Sequence, residues 1–184
     1  NSKGNIIFSQ KRVGRHGKDF TMYKFRTMHT GAEMKRHLTV GNNDSRITKV
    51  GVFLRKYKLD ELPQLWNVLK NDMSIVGPRP ELRKFVDMYD ADQLQVLGIK
   101  PGITDLASVE FSDENDLLAA AADPEKYYTD TVMPAKILLS MDYVHQKTTG
   151  KYFNAIFRTI HSVFGKRKKQ LPNLPFSSQA GNQN

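Results

Sequence analysis

The chain has 184 residues, 39 % of them hydrophobic, which is enough for one domain with its own core, although low for a fully self-contained globule. Cysteine is absent, so disulfides and thiolate metal sites are excluded, and no apolar run approaches the ~20 residues of a membrane-spanning helix. The net charge of +9 is uneven: residues 1–60 carry 14 Lys+Arg and 4 Asp+Glu, residues 61–150 carry 8 and 15, and residues 151–184 carry 6 and none.

Basic ends of this kind suit nucleic acid, anionic lipid or phosphorylated small molecules. A plainly solvated basic surface accounts for them as well. No signal peptide is visible. The chain opens at Asn1 without a methionine and reads as a fragment from which an upstream membrane element has been removed.

Residues 5–13 read as an extended segment, Gly14 to Gly17 as a turn, and Phe20 to Met28 as a second strand of alternating aromatic and polar residues, together a β-hairpin. On the second strand Lys24, Arg26 and Met28 share one face. Gly31 to Leu38 reads as a short helix and Val40 to Ser45 as a loop. Thr48 to Lys58 is helical, with Val50, Phe53, Leu54 and Tyr57 at helical spacing and Arg55 on a different side from Phe53. A further helix is expected over 60–70, with Leu62, Leu65, Trp66 and Leu69 on one face and Pro63 in the first turn, where its missing N–H is harmless.

Beyond the stiff loop Gly77-Pro78-Arg79-Pro80, Glu81 to Tyr89 suggests a helix, Lys100 to Thr104 a turn, and Leu106 to Phe111 a short strand. Helices are expected over 113–122, from Asp123 through the tyrosines, over 133–145 and over 152–164. The last has an apolar stripe of Phe153, Ile156, Phe157, Ile160 and Phe164. Ordinary core packing is favoured for the stripe of 133–145, and a membrane surface for that of 152–164. The fold class is α+β, mostly helical with a small β-hairpin and amphipathic interfacial helices. Residues 1–165 form the folded domain, and residues 166–184, opening with Lys166-Arg167-Lys168-Lys169, form a basic, disordered tail.

The chemistry concentrates at Asp60 and Glu61. At a helix N-terminus a carboxylate is favoured as its anion. Asp60, surrounded by Lys and Arg, is a competent oxygen nucleophile toward phosphorus. Glu61 points ~100° away around the helix axis and, as a hard oxygen donor, suits Mg²⁺. An N-cap followed by a first-turn acid is the bland alternative. Arg79 is held between two prolines, which lowers the entropy lost when its guanidinium grips a phosphate. The histidines at 16, 29, 37, 145 and 161 show no metal-ligand spacing, and no P-loop or nucleophile elbow is present.

Several motifs occur in order: Gln10-Lys11-Arg12-Val13-Gly14, Tyr23-Lys24-Phe25-Arg26-Thr27-Met28, Phe53-Leu54-Arg55-Lys56, Leu59 to Leu69, Asp72 to Glu81, and Lys100-Pro101-Gly102-Ile103-Thr104. The series resembles the bacterial sugar transferases, which are monotopic phosphoglycosyl transferases, over residues 1 to about 165. The resemblance implies transfer of a sugar 1-phosphate from a UDP-sugar to undecaprenyl phosphate, with release of UMP, in two displacements. Asp60 would carry the phosphosugar, Glu61 would bind Mg²⁺, and Lys24, Arg55 and Arg79 would contact phosphates. Arg26 joins them because it shares the face of Lys24.

The same likeness places the enzyme on the cytoplasmic face of the bacterial inner membrane, with the anchoring helix missing from this chain. Its partners are then the sugar nucleotide, the lipid carrier and the membrane surface; a homo-oligomer is compatible with it and nucleic acid is not among the partners. Two features depart from the family pattern: Asp105 stands where glycine is common, and Ser112-Asp113-Glu114-Asn115-Asp116 replaces a more common Asn-Gly-Arg segment. A basic nucleic-acid-binding module and a non-catalytic scaffold are the competing readings. The first gives no reason for two acids beside Arg79, and the second none for an intact Asp60, Glu61 and Arg79.

Overall fold

The computed structural model describes residues 4–32, 38, 40, 41 and 44–165. Most of the helix expected over 31–38 and all of the basic tail after Gly165 lie outside them. The described chain is α+β. Strands β1 (Ile7–Val13) and β2 (Asp19–Phe25) pair antiparallel, from Ile7 opposite Phe25 to Val13 opposite Asp19. A single 3-10 turn, Arg15–Gly17, joins them, as the two glycines predict.

Helix α1 (Lys49–Lys56) starts at Thr48, whose hydroxyl accepts from the Gly51 N–H at 2.9 Å. A Cβ on Gly51 would stand 2.0 Å from the Thr27 carbonyl oxygen. Glycine is therefore what lets α1 lie against the end of the hairpin. Val50 and Phe53 of the expected stripe are exposed.

The helix expected over 60–70 is broken in two. Lys58 adopts a left-handed conformation (φ 55°) and turns the chain into a 3-10 turn, Leu59–Glu61. Helix α2 (Gln64–Leu69) follows Pro63. Its stripe of Leu62, Leu65, Trp66 and Leu69 faces outward, and the polar face is the buried one: Gln64 and Asn67 are 1 % and 0 % exposed. The reason is a hydrogen-bonding match. Asn67 accepts from the Tyr23 N–H (3.1 Å) and donates to the Thr21 carbonyl (2.7 Å), satisfying the open edge of β2 as a neighbouring strand would.

Strands β3 (Ser74–Val76) and β4 (Gly102–Thr104) pair in parallel. Just beyond them the backbones of Gly77 and Gly102 touch, so closely that a Cβ on Gly102 would lie 2.1 Å from the Gly77 nitrogen. Helix α3 (Arg83–Val86) is shorter than expected. The strand expected over 106–111 is instead a helix, α4 (Leu106–Glu110), because Asp105 caps it and accepts from the Ser108 N–H at 2.6 Å. There follow α5 (Glu114–Ala120), α6 (Pro124–Tyr127), a π-helical turn at Tyr128–Val132, α7 (Met133–His145) and α8 (Thr149–Phe164).

The main core joins Phe85, Phe111 and Leu118 to Tyr128, Val132, Met133 and Ile137. A smaller cluster of Val76, Tyr143 and Ala155 fastens α8 to α7 and β3, with Tyr152 and Ile156 packed against it. The other side of α8, Phe153, Phe157, Ile160 and Phe164, is exposed. Among the described residues no helix is long and apolar enough to cross a membrane.

Candidate active site

The end of β2, the Leu59–Glu61 turn and the loop after β3 meet at one cleft of about 780 Å³. All six residues singled out from the sequence, Lys24, Arg26, Arg55, Asp60, Glu61 and Arg79, line it. Among the described residues nine basic and four acidic side chains line the walls. That surplus of positive charge favours an anionic occupant.

Glu61 is the hub. Its Oε1 accepts from Arg79 Nη2 at 2.6 Å and from Lys24 Nζ at 3.2 Å, and its Oε2 has a longer contact with Arg79 Nη1 at 3.5 Å. Burial opposes its ionisation, but Arg79, Lys24 and Lys58 outweigh burial and hold the carboxyl well below the usual range. Glu61 in turn holds the Arg79 guanidinium above its ordinary value. Lys24 behaves differently. Burial brings its ammonium down to about 8, with Arg79 adding to the fall and Glu61 opposing it.

Asp60 is as buried as Glu61, each 8 % exposed, yet its Oδ1 has no hydrogen-bond partner among the described residues. Leaving a buried acceptor unmatched costs about 1–3 kcal/mol, so this oxygen is poised for a partner that arrives with a ligand. Arg55 flanks it, anchored by an Nε bond to Thr27 Oγ1 at 2.9 Å. Burial lowers the Arg55 guanidinium, and Asp60 is the strongest charge opposing that. Arg26 lies at the rim, bonded to the Asn5 carbonyl (2.7 Å), the Gly4 carbonyl (3.1 Å) and Thr30 Oγ1 (3.3 Å).

Other polar residues of the cleft were not singled out from the sequence. Arg12 contacts Glu81 at 3.5 Å, and Glu81 also accepts from the Tyr128 hydroxyl at 2.6 Å. Lys136 pairs with Glu114 at 2.7 Å. The paired residues are 22 to 69 positions apart, so periodicity within one segment gives no sign of them. Asp105, outside the cleft lining, did leave a local signal, as an acid three residues ahead of Ser108.

The bacterial sugar transferase family profile matches residues 1–166. This chain is a member of that family. A bacterial sugar transferase of Aeromonas hydrophila, named UDP-N-acetylgalactosamine-undecaprenyl-phosphate N-acetylgalactosaminephosphotransferase, is 37 % identical over 90 % of this chain and 38 % of its own length. The undecaprenyl-phosphate galactose phosphotransferase of Salmonella typhimurium is 45 % identical over 62 % of this chain and 27 % of its own. The UDP-glucose:undecaprenyl-phosphate glucose-1-phosphate transferase of Klebsiella pneumoniae is 42 % identical over 64 % and 26 %. The chain thus spans between a quarter and two fifths of these relatives.

Sequence motifs had suggested Mg²⁺ at Glu61. Among the described residues no three His, Asp or Glu side chains form a ready metal cage. The donors present are hard oxygens, and Glu61 Oε2 and Asp60 Oδ1 are the least engaged of them. Such a set fits an ion that takes one or two carboxylates and completes its shell with water and phosphate oxygens, as Mg²⁺ does.

Proposed function

We propose that this chain is the catalytic part of a phosphoglycosyl transferase that moves a sugar 1-phosphate from a UDP-sugar to undecaprenyl phosphate. The observation that carries the reading is the unpartnered Oδ1 of Asp60, beside a Glu61–Arg79–Lys24 cluster in a cationic cleft. A carboxylate oxygen of Asp60 attacks the sugar-linked phosphorus. The bond from that phosphorus to the bridging oxygen breaks, and UMP departs with the bonding electrons. A phosphate oxygen of the polyprenyl carrier then attacks the acyl phosphate. Asp60 is released as its carboxylate, and a diphosphate-linked lipid sugar is formed.

The cations serve this chemistry by position. Arg79 and Lys24 are held by Glu61, the residue next to the attacking carboxylate, ready to accept phosphate charge without reorganising. Arg55 is a further cation close to Asp60. Glu61 would hold Mg²⁺, which when bound offsets the diphosphate charge. The curated relatives bear names with three different sugars, N-acetylgalactosamine, galactose and glucose, so the donor is assigned here as a UDP-hexose or UDP-N-acetylhexosamine.

The acceptor supports a membrane setting at the cytoplasmic face. Exposed Phe53 packs at a tilt against Tyr57 (ring centroids 5.0 Å), and Tyr57 reaches Phe164 (6.5 Å). This links the apolar faces of α1 and α8 beside a cleft whose wall includes Val52, Ser162 and Val163. A lipid phosphate entering from a bilayer would pass that edge. Asp60→Asn preserves size and removes the nucleophile. The expected result is loss of UMP release from UDP-sugar in bilayer-reconstituted protein, by at least about a thousandfold. Turnover near that of the unaltered protein would rule the role out.

A further inference from the structure

We propose that Asp105 is a positioning residue that fixes Arg79 at the cleft. Its carboxylate is buried, 4 % exposed, and has three partners on three elements. Oδ2 accepts from the Arg79 backbone N–H at 3.3 Å and from Ser140 Oγ of α7 at 3.2 Å, and Oδ1 accepts from the Ser108 N–H of α4 at 2.6 Å.

The arrangement follows from the two prolines. Pro78 and Pro80 have no N–H, so Arg79 carries the only backbone donor of residues 78–80. Up to Pro78 the loop is held by backbone bonds: the Gly77 N–H to the Thr104 carbonyl, and the Gly102 N–H to the Pro78 carbonyl, both at 3.0 Å. At Arg79 that ladder ends, and the Asp105 side chain takes over as acceptor. One carboxylate thereby ties the root of Arg79 to α4 and α7, while the guanidinium reaches 2.6 Å from Glu61. Asp105 also adds negative charge near the guanidinium, behind Glu61 in strength. A glycine at position 105 offers no side-chain acceptor, so its Arg79 N–H would need another partner.

The inference rests on Arg79 serving as a phosphate-binding cation. Asp105→Asn separates positioning from capping, because asparagine caps a helix about as well as aspartate. Its single carbonyl can keep Ser108, but its NH₂ then faces the Arg79 N–H, donor against donor. In the bilayer-reconstituted protein the expected results are an unchanged circular dichroism spectrum, kcat/KM for UDP-sugar lowered about tenfold, and UDP binding weakened in parallel. In an Arg79→Ala background, Asp105→Asn should leave UDP binding unaltered, since the effect passes through Arg79.

If Arg79→Ala weakens UDP binding while Asp105→Asn leaves both binding and turnover at wild-type values, the positioning role is refuted and the site reading survives. Equal losses from Asp105→Asn with and without Arg79 also refute it. If Arg79→Ala itself has no effect, the reading of the site falls first.

Discussion

Lys24 and Glu61 show how one buried cluster sets two groups in opposite directions. Glu61 stays an anion because three cations outweigh its desolvation. Lys24 falls from 10.5 to about 8 because burial and Arg79 outweigh Glu61. The sign matters for activity. Below about 8 the ammonium is charged and can hold a phosphate oxygen; above it the charge is lost. In the folded state the proton leaves earlier than in the unfolded chain, so titration between about 8 and 10.5 adds stability while removing binding charge. The expected pH profile of kcat/KM for UDP-sugar therefore declines through about 8. Lys24→Arg, whose guanidinium keeps its proton, should flatten that limb even if it lowers the plateau. A declining limb at the same pH in Lys24→Arg would remove Lys24 from the account. Asp60 sits one residue from Glu61 and is treated differently again: one has all the cluster's hydrogen bonds and the other leaves an oxygen free for substrate.

Helices α2 and α8 carry apolar stripes that did not read alike. Both stripes were legible as stripes, yet apart from Ile156 of α8 neither is consumed by the core. In α2 the reversal has a chemical cause, since Asn67 matches the unpaired edge of β2 and draws the polar face inward. A hydrophobic pattern cannot reveal this, because it assumes that the apolar face wins. In α8, Ala155 is the contact residue at 0 % exposure, while Phe157 and Phe164 are 67 % and 76 % exposed. A small residue allows close approach, and the phenylalanines are left for another apolar phase. Burying each in a bilayer interface is worth about 1.5–3 kcal/mol. Phe157→Asp or Phe164→Asp should therefore reduce co-sedimentation with anionic phospholipid vesicles by about tenfold or more, with circular dichroism unchanged. Undiminished vesicle binding by the double variant would show that α8 is not a membrane-facing helix. The strand expected at Leu106 failed for a related reason: six residues of mixed apolar and polar character fit either period, and a cap at Asp105 decided for helix.

At the scale of the whole molecule, the α+β class, the hairpin, and helices α1, α7 and α8 were legible because each depends on residues close in sequence. So were the six cleft residues, because the family-like motifs and the Asp-Glu pair mark them directly. The remaining cleft network was not, since Arg12 meets Glu81 and Lys136 meets Glu114 only after the chain has folded back on itself. The charge division along the sequence also takes on a meaning. The basic first third supplies Arg12, Lys24, Arg26, Arg55 and Lys58 to the cleft, while the acidic middle supplies Glu61, which holds Lys24, and Glu81, which holds Arg12. On the proposed reading all of this serves one event, formation of a bond between an Asp60 oxygen and phosphorus. The most direct measurement is intact-protein and peptide mass spectrometry after mixing bilayer-reconstituted protein with UDP-sugar, without lipid acceptor, and quenching in acid. The account predicts a sugar-phosphate adduct on the peptide containing Asp60, discharged when undecaprenyl phosphate is added and absent in Asp60→Asn. Full turnover with no adduct on any peptide, or an adduct on a different residue, would contradict it.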